Sequence, residues 1–248
     1  MVRNEATQAL APADIETFKA FMPKLFAGSV HVDIQALSPL IDSSDVNPEC
    51  WVRIARMVYD HYDDYDGFVV LHGTDTMSYS ASALSFMLQN LSKPVVFTGS
   101  QLPVGVLRSD AKENLLTAIE IAAAKDDEGN AIVPEVTIYL EDRLFRANRT
   151  TERKAEHFSA FNSYNYPALA KAGVHITYQP HLVHYSDPKE PLILHTSFDC
   201  NVAVLKLFPG IQQPVVRALL HTRGLKGVVL ETFGAGNAPT DKWLYREL

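Results

Sequence analysis

The most informative segment of the sequence is Gly67-Phe-Val-Val-Leu-His-Gly-Thr-Asp-Thr-Met77. Its apolar run, followed by Gly73-Thr-Asp75, indicates a buried parallel strand that leaves its sheet in a tight turn. In open α/β sheets, ligands bind at the carboxyl ends of such strands. Thr74 offers a potential nucleophile or proton carrier, and Asp75 offers a negative charge for an ammonium group. Alternatively, Thr74, Asp75 or Thr76 only caps the following helix.

Composition restricts the classes of function. With 248 residues, 47% hydrophobic and 21% charged, the chain has the profile of a soluble globular protein of one large or two modest domains. A net charge of -7 disfavours nonspecific binding to nucleic acid or membranes, and no apolar run approaches a membrane span. Cys50 and Cys200 have no metal-ligand or redox spacing, and the first residues resemble no signal peptide. We therefore expect a cytoplasmic protein.

Apolar runs bounded by turn residues alternate with amphipathic segments, which predicts an α/β fold with a mostly parallel, doubly wound sheet. The predicted strands are Val30–Leu37, Gly67–Leu71, Pro94–Phe97, Glu135–Leu140, Leu192–His195, Val202–Leu207 and Gly227–Glu231. The predicted helices are Ala13–Phe21, Glu49–His61, Ser78–Leu91, Asp110–Ala124 and Pro214–His221. The proline-rich stretch 179–191 is interpreted as a linker between an N-terminal domain, 1–178, and part of a smaller α/β domain, 192–248.

Three further polar stretches fall at predicted strand-to-helix corners. They are Pro39-Leu-Ile-Asp-Ser-Ser-Asp-Val-Asn-Pro48, Phe97-Thr-Gly-Ser-Gln-Leu-Pro103 and Leu107-Arg-Ser-Asp-Ala-Lys-Glu-Asn114. Each alone is explained by helix capping, because Ser, Thr, Asp and Asn are the preferred capping residues. Their joint occurrence at one edge of the sheet favours a site for a small polar substrate that carries both charges.

These residues resemble a known family. The motifs His72-Gly-Thr-Asp-Thr-Met77, Ile41-Asp-Ser-Ser44, Thr98-Gly-Ser-Gln101, Leu107-Arg-Ser-Asp110, Asn148-Arg-Thr-Thr151 and Phe233-Gly-Ala-Gly-Asn-Ala-Pro239 are similar to those of the bacterial type I, cytosolic L-asparaginases. The similarity covers essentially the whole chain in consecutive order, so the set of motifs is highly specific.

The resemblance implies hydrolysis of L-asparagine to aspartate and ammonia without a cofactor or metal ion. It places Thr74 in the family's rigid Thr-Lys-Asp arrangement and Asp75 at the carboxylate that holds the substrate's α-ammonium. It matches Asp42, Ser43 and Ser44 to the loop that binds the α-carboxylate end. Family members assemble as dimers of dimers, so a homodimer or homotetramer is also implied.

The sequence departs from the family pattern in two places. Met1-Val-Arg-Asn-Glu resembles the residues that follow the family's N-terminal Thr-Gly-Gly-Thr-Ile-Gly, so the nucleophilic threonine and its strand are missing here. The C-terminal domain also looks short. In an ungapped alignment, Glu152 occupies the position of the family's lysine, and Lys154 two residues later is the remaining candidate. A glutamate near Asp75 would repel it and raise a carboxyl pKa.

Three hypotheses follow. The first is an L-asparaginase whose 248 residues as written have little or no turnover. The second is a catalytically inactive homologue that binds an amino acid or amide, or serves as an oligomer partner. The third is a related amidohydrolase that acts on another substrate, such as glutamine or a lysophospholipid. The preference between asparagine and glutamine stays open, because one extra methylene displaces the amide from its place in the site.

Overall fold

The computed structural model describes residues 30–153, 160–187 and 189–248, and the backbone of 2–3 and 10–11. It contains two compact units, Met1–Thr196 and Ser197–Leu248. The stretch 179–191, predicted to be a linker, therefore lies inside the first unit, where Pro180–Leu182 form a 3-10 turn. The predicted helix Ala13–Phe21 falls outside the described residues.

The first unit contains twelve strands and three α-helices among its described residues. The strands are β1 (Val2–Arg3), β2 (Leu10–Ala11), β3 (Phe68–Leu71), β4 (Leu88–Gln89), β5 (Val95–Thr98), β6 (Val136–Leu140), β7 (Arg143–Arg146), β8 (Thr151–Glu152), β9 (Phe161–Asn162), β10 (Ala170–Ala172), β11 (Ile176–Tyr178) and β12 (Ile193–Leu194). The helices are α1 (Pro48–Asp60), α2 (Met77–Met87) and α3 (Ala111–Ala123).

The central sheet has six strands in the order β11-β10-β7-β6-β5-β3. Strands β3, β5 and β6 are parallel, with Val69 opposite Val96 and Val96 opposite Thr137. The pairs β6–β7, β7–β10 and β10–β11 are antiparallel. The α/β fold class is confirmed, but the sheet is mixed rather than mostly parallel. The difference arises because the chain turns back after Leu140 in a tight β6–β7 hairpin instead of crossing over through a helix.

Side chains that alternate along the parallel strands pack against helices on both faces of the sheet. Val95 and Phe97 belong to a core cluster with α1 and α2, whereas Val96 belongs to a second cluster with α3. Strand β5 is accordingly buried along its whole length. Pro48 occupies the first turn of α1. Asn47 Oδ1 accepts hydrogen bonds from the backbone N–H groups of Glu49 and Cys50 and so caps the helix.

Two predicted elements are wrong. Residues 31–37 form no strand, and they find no partner strand within the described part of the chain. The helix predicted to reach Leu91 ends at Met87, because Leu88 and Gln89 pair with Leu194 and Ile193 as strand β4. The other predicted strands and described helices lie within a few residues of their predicted bounds.

The second unit is a small α/β arrangement of its own. It comprises β13 (Val202–Lys206), α4 (Gln213–Leu220), β14 (Gly227–Glu231) and α5 (Lys242–Glu247). The two strands are parallel, and Val202 pairs with Gly227. Leu205, Val216 and Leu244 are buried in its core. No helix among the described residues is both long and apolar enough to cross a membrane.

Candidate active site

Strand β3 ends in the polar turn that the sequence singles out. After Leu71 the backbone passes through His72 and Gly73 into a 3-10 turn, Thr74–Thr76, and α2 begins at Met77. Neither the turn nor α2 has a side-chain hydrogen bond at its N-cap. The capping alternative is therefore wrong for this turn, and the half-buried Thr74 and exposed Asp75 are not consumed by the start of the helix.

A second loop is joined to this turn by two hydrogen bonds. Ser43 Oγ donates to Asp75 Oδ2 over 3.0 Å, and Thr76 Oγ1 donates to the carbonyl oxygen of Ser43 over 2.6 Å. Ser43 is only 6% exposed, so its hydroxyl is held in place by packing. A Cβ on Gly73 would lie 2.4 Å from Ser43 Oγ, which explains why a glycine stands there. Thus the structure brings Ser43 and Asp75 together across 32 positions of sequence.

The residues that flank Ser43 are engaged with each other. Asp42 Oδ1 accepts hydrogen bonds from Ser44 N over 3.0 Å and from Ser44 Oγ over 2.8 Å. These bonds hold the pKa of Asp42 below its usual value, chiefly through the backbone N–H of Ser44 and then through its hydroxyl. Asp42 therefore caps the 3-10 turn Ser43–Asp45. In this arrangement Asp42 and Ser44 fix the loop, while Ser43 faces Asp75.

The carboxyl end of β5 forms the neighbouring corner. Both oxygens of Asp110 accept from the backbone N–H of Gln101 at 3.1 Å, and Asp110 Oδ1 accepts from Leu102 N at 3.1 Å. Asn114 Nδ2 donates to Asp110 Oδ2 over 2.9 Å and to the carbonyl oxygen of Gly99 over 3.0 Å. This network holds the loop that carries the side chain of Gln101.

The carboxyl group of Glu152, on β8, is within electrostatic range of Asp75. Strand β8 pairs antiparallel with β9, which sets Glu152 opposite Phe161. Burial raises the pKa of Glu152, the negative charge of Asp75 raises it further, and the side-chain amide of Gln101 lowers it. The direction of this shift agrees with the repulsion between Glu152 and Asp75 that the sequence leads us to expect. Gln101 Nε2 and Glu152 Oε1 are nevertheless both buried without a well-formed hydrogen bond to any described residue.

His72 lies directly before the turn, and its burial favours the neutral form of the ring. Its Nδ1 is 2.7 Å from the carbonyl oxygen of Gly73, which accepts only, so Nδ1 carries the proton. Burial lowers the pKa of His72, and the bond to Gly73 partly opposes this shift. Its Nε2 is buried and has no hydrogen-bond partner within the described residues. The ring packs against Phe97 with 5.9 Å between ring centroids.

The structure places the sequence-predicted site residues unequally. Ser43 and Asp75 are bonded, Thr74 adjoins them, and Asp42 and Ser44 occupy the same loop as Ser43. Lys154, the candidate for the family's lysine, lies outside the described residues. Sequence reasoning assigned no role to Gln101. Its position could have indicated a role in the site, because Gln101 follows β5, and β5 is adjacent to β3 in the sheet.

No metal centre emerges from the described residues, since no group of three or more His, Cys, Asp and Glu side chains there could hold an ion. The polar groups of the site are instead hydroxyl groups and a side-chain amide, which can donate hydrogen bonds, and carboxyl groups, which accept them. This chemistry suits a small molecule that carries an ammonium group and hydrogen-bonding groups.

Two family models match the chain. Residues 1–184 match "Asparaginase, N-terminal", and residues 201–248 match "Glutaminase/Asparaginase C-terminal domain". The second match falls within the smaller structural unit, and the first covers most of the larger one.

Individual relatives agree with these models. The chain is 43% identical to L-asparaginase 1 of Escherichia coli strain K12 over 100% of its own length and 71% of that protein. It is 49% identical to the 60 kDa lysophospholipase of Mus musculus over 85% of the chain, which spans only 36% of that protein. The crystal structure of L-asparaginase I from Vibrio cholerae superposes with a TM-score of 0.85 at 39% identity, over 95% of this chain and 70% of that one.

Proposed function

We propose, because the chain belongs to the asparaginase family, that the cluster of Ser43, Thr74 and Asp75 binds L-asparagine and takes part in hydrolysis of its side-chain amide. The reaction breaks the amide C–N bond with one water molecule and gives L-aspartate and ammonia. The observation that carries this proposal is the hydrogen bond from the Ser43 hydroxyl to Asp75, which orients an exposed carboxylate next to the half-buried Thr74.

Asp75 is the proposed anchor for the substrate's α-ammonium group. Ser43 occupies Oδ2, so Oδ1 can accept a hydrogen bond from a ligand. A bond between an ammonium and a carboxylate is charge-assisted and stronger than one between neutral groups. Asp42, Ser43 and Ser44 form the adjoining loop, and we assign the α-carboxylate end of the substrate to that side, where hydroxyl and backbone donors are found.

Thr74 is the proposed catalytic hydroxyl next to the amide. A threonine hydroxyl is a weak nucleophile and needs a base or charge relay before it attacks or transfers a proton. Lys154 remains the proposed source of that relay. Because donors directed at a developing oxyanion lower the barrier of acyl transfer, the Gln101 amide is a further candidate for contact with the reacting group.

Glu152 favours a second function, the binding of an amino acid without hydrolysis. Glu152 stands where the family resemblance places a lysine, and a carboxyl group with a raised pKa does not supply the positive charge of an amine. This arrangement supports a homologue that binds an amino acid with little turnover. The two functions share the ammonium anchor at Asp75 and differ only in ammonia release.

The cellular location and the oligomeric state of the protein are proposed by analogy with relatives. A Campylobacter jejuni chain whose fold is similar is described as a probable cytoplasmic L-asparaginase; the likeness has a TM-score of 0.77 at 23% identity. We propose the cytoplasm for this chain as well. We also propose a homodimer or homotetramer, which light scattering of the purified chain measures directly.

Calorimetric titration with L-asparagine tests the proposal. We expect the wild-type chain to bind L-asparagine and Asp75→Asn to lose at least about thirtyfold in affinity, the scale for truncating one partner of a charged pair. Asp45→Asn is the matched control, because Asp45 lies in the 3-10 turn of Ser43 and is exposed. Equal binding by Asp75→Asn and the wild type would overturn the proposed anchor.

Ammonia release by the same samples separates the two functions. Turnover that disappears in Thr74→Val and persists in Asp45→Asn supports the hydrolase. Binding without ammonia release supports the amino-acid-binding homologue. Parallel assays with L-glutamine determine which amide the site prefers.

A further inference from the structure

Thr76 stands at the start of α2 but does not cap the helix. It is the N-cap residue of α2, a position at which a threonine hydroxyl usually accepts a hydrogen bond from a backbone N–H group of the first turn. The described residues of α2 make no such bond to its side chain. Thr76 Oγ1 instead donates to the carbonyl oxygen of Ser43 over 2.6 Å, across 33 positions of sequence. The hydroxyl therefore serves the contact between two loops rather than the helix.

The turn Thr74–Thr76 holds Ser43 at two points. Asp75 Oδ2 accepts from the Ser43 hydroxyl over 3.0 Å, and the Thr76 hydroxyl donates to the Ser43 carbonyl oxygen. That oxygen also accepts from Val46 N over 3.3 Å, a longer bond at the end of the 3-10 turn that contains Ser43. The bond to Asp75 alone would leave the loop of Ser43 free to pivot about it. A second bond at the carbonyl oxygen fixes the orientation of that loop.

Close packing supplies a third constraint on Ser43. A Cβ on Gly73 would lie 2.4 Å from Ser43 Oγ and 2.7 Å from Ser43 Cβ, so the serine side chain lies directly against the backbone of the turn. Ser43 is buried, and Thr76 is half-buried. Because the side chain is confined in this way, a shift of the Ser43 backbone changes the direction of its hydroxyl. The bond that Thr76 donates therefore helps to set the hydroxyl that orients Asp75.

We propose that Thr76 is a positioning residue for ligand binding. Its hydroxyl fixes the backbone of Ser43, and Ser43 in turn holds the carboxylate of Asp75 in place for the α-ammonium group of the ligand. The inference rests on the proposed function and adds to it a residue that acts only through Ser43. Helix α2 forgoes the cap that its threonine could supply, and the site gains a carboxylate with a fixed direction.

The test is a double-mutant cycle on the affinity for L-asparagine, measured by calorimetry. Thr76→Val keeps the shape of the side chain and removes the donor, so we expect about fivefold weaker binding, the same loss as in Ser43→Ala. Because Thr76 acts through Ser43, the double variant is also expected to bind about fivefold more weakly than the wild type, rather than about 25-fold. Thr76→Ser keeps the hydroxyl and is expected to retain the affinity of the wild type.

Thr222→Val is the matched control for the loss of a threonine hydroxyl. Thr222 Oγ1 donates to the carbonyl oxygen of Ala218 over 3.1 Å in the second unit, so this variant removes a bond of the same kind. Its affinity for L-asparagine is expected to equal that of the wild type. Thermal melts monitored by circular dichroism establish that each variant folds. If Thr76→Val does not fold, Thr76→Ala takes its place in the cycle, with the same expected losses.

A crystal structure of Thr76→Val without ligand separates this inference from the function on which it rests. We expect Ser43 Oγ to lie more than about 3.5 Å from Asp75 Oδ2, beyond hydrogen-bond reach. An unchanged distance of 3.0 Å would overturn the positioning role, whether or not the chain binds L-asparagine. Wild-type affinity in Thr76→Val, or losses that multiply in the double variant, would overturn it and leave Asp75 as the anchor. If the folded wild type binds no L-asparagine, the proposed function fails, and the role of Thr76 in binding fails with it.

Discussion

The corners at Asp75 and Asp110 have similar sequence patterns but use their carboxylates differently. Each aspartate lies between a strand of the central sheet and the helix that follows it. Asp110 accepts bonds from two backbone N–H groups and from the Asn114 amide. Asp75 has one described hydrogen bond, which comes from the Ser43 hydroxyl. The Asp110 carboxylate is satisfied by groups of its own corner, whereas the Asp75 carboxylate can still accept hydrogen bonds from a ligand.

The comparison shows why a polar corner alone does not identify a site. A carboxylate that holds a loop through backbone donors contributes to stability, because those donors would otherwise be left without partners. A carboxylate held by one hydroxyl contributes less to stability and more to recognition. Variants at the two corners should therefore separate unfolding free energy from ligand affinity.

Loss of the Asp110 carboxylate should destabilise the fold strongly. Asp110→Ala leaves the N–H groups of Gln101 and Leu102 without their acceptor and is expected to lower the free energy of unfolding by about 3 kcal/mol, on the scale of several lost charged hydrogen bonds. Urea denaturation followed by fluorescence measures this change. Asp45→Ala, which removes an exposed carboxylate, serves as the control. A loss below about 1 kcal/mol would contradict the structural role of Asp110.

The Gly73 position tests how closely the two loops of the other corner approach. Gly73→Ala places a Cβ 2.4 Å from Ser43 Oγ and 2.7 Å from Ser43 Cβ, so Ser43 must move away from Asp75. We expect a loss of about 2 kcal/mol in unfolding free energy, the usual scale for overpacking, together with weaker binding of L-asparagine. Gly234→Ala is the control, because a Cβ there meets nothing within 4 Å. Unchanged stability would show that the contact is not close in solution.

Ser43→Ala removes the hydroxyl that orients Asp75 and keeps the volume of the site nearly constant. The expected loss of unfolding free energy is about 1 kcal/mol, the net value of one ordinary hydrogen bond. Affinity for L-asparagine is expected to fall by roughly fivefold, which corresponds to a similar free energy. Ser197→Ala, at an exposed position in the second unit, controls for the loss of a hydroxyl. Equal affinity of Ser43→Ala and Ser197→Ala for L-asparagine would contradict the role of Ser43.

Glu152 should make a modest contribution to the pH dependence of stability. Its folded-state pKa is raised, first by burial and then by Asp75, so the folded protein binds the proton more tightly than the unfolded chain. Stability from this group is present below the unfolded pKa and is lost as pH rises through the folded pKa. Glu152→Gln should therefore flatten the decline in unfolding free energy above pH 4.5, relative to the wild type.

Urea titrations at half-unit steps of pH measure this slope. Glu49→Gln provides the comparison at an exposed glutamate. An identical slope in the wild type and Glu152→Gln would show that the carboxyl of Glu152 titrates like an exposed one.

Local patterns predicted the elements whose boundaries are set by neighbouring residues. The strand Gly227–Glu231 has its predicted bounds, and α3 differs from the prediction by one residue at each end. The segment 31–37 has a suitable alternating pattern, but a strand also needs a partner, which local sequence does not supply. The short strands β10 and β11 were missed for the complementary reason, since their pairing partners define them.

The sequence also predicted part of the candidate site. The position of Thr74 and Asp75 after a buried strand follows from the apolar run and the turn residues. The repulsion between Glu152 and Asp75 was expected from the family alignment. The sequence could not predict that Asp110 accepts from two backbone N–H groups and from the Asn114 amide, because these contacts depend on the path of the loop from Gly99 to Leu102.

A crystal structure of this chain with L-aspartate bound tests whether Asp75 anchors the α-ammonium group, because this ligand retains that group and is not hydrolysed. We predict that the α-amino nitrogen lies about 2.7–3.1 Å from Asp75 Oδ1. Ligand density elsewhere, with Asp75 bonded only to Ser43, would show that Asp75 is not the anchor.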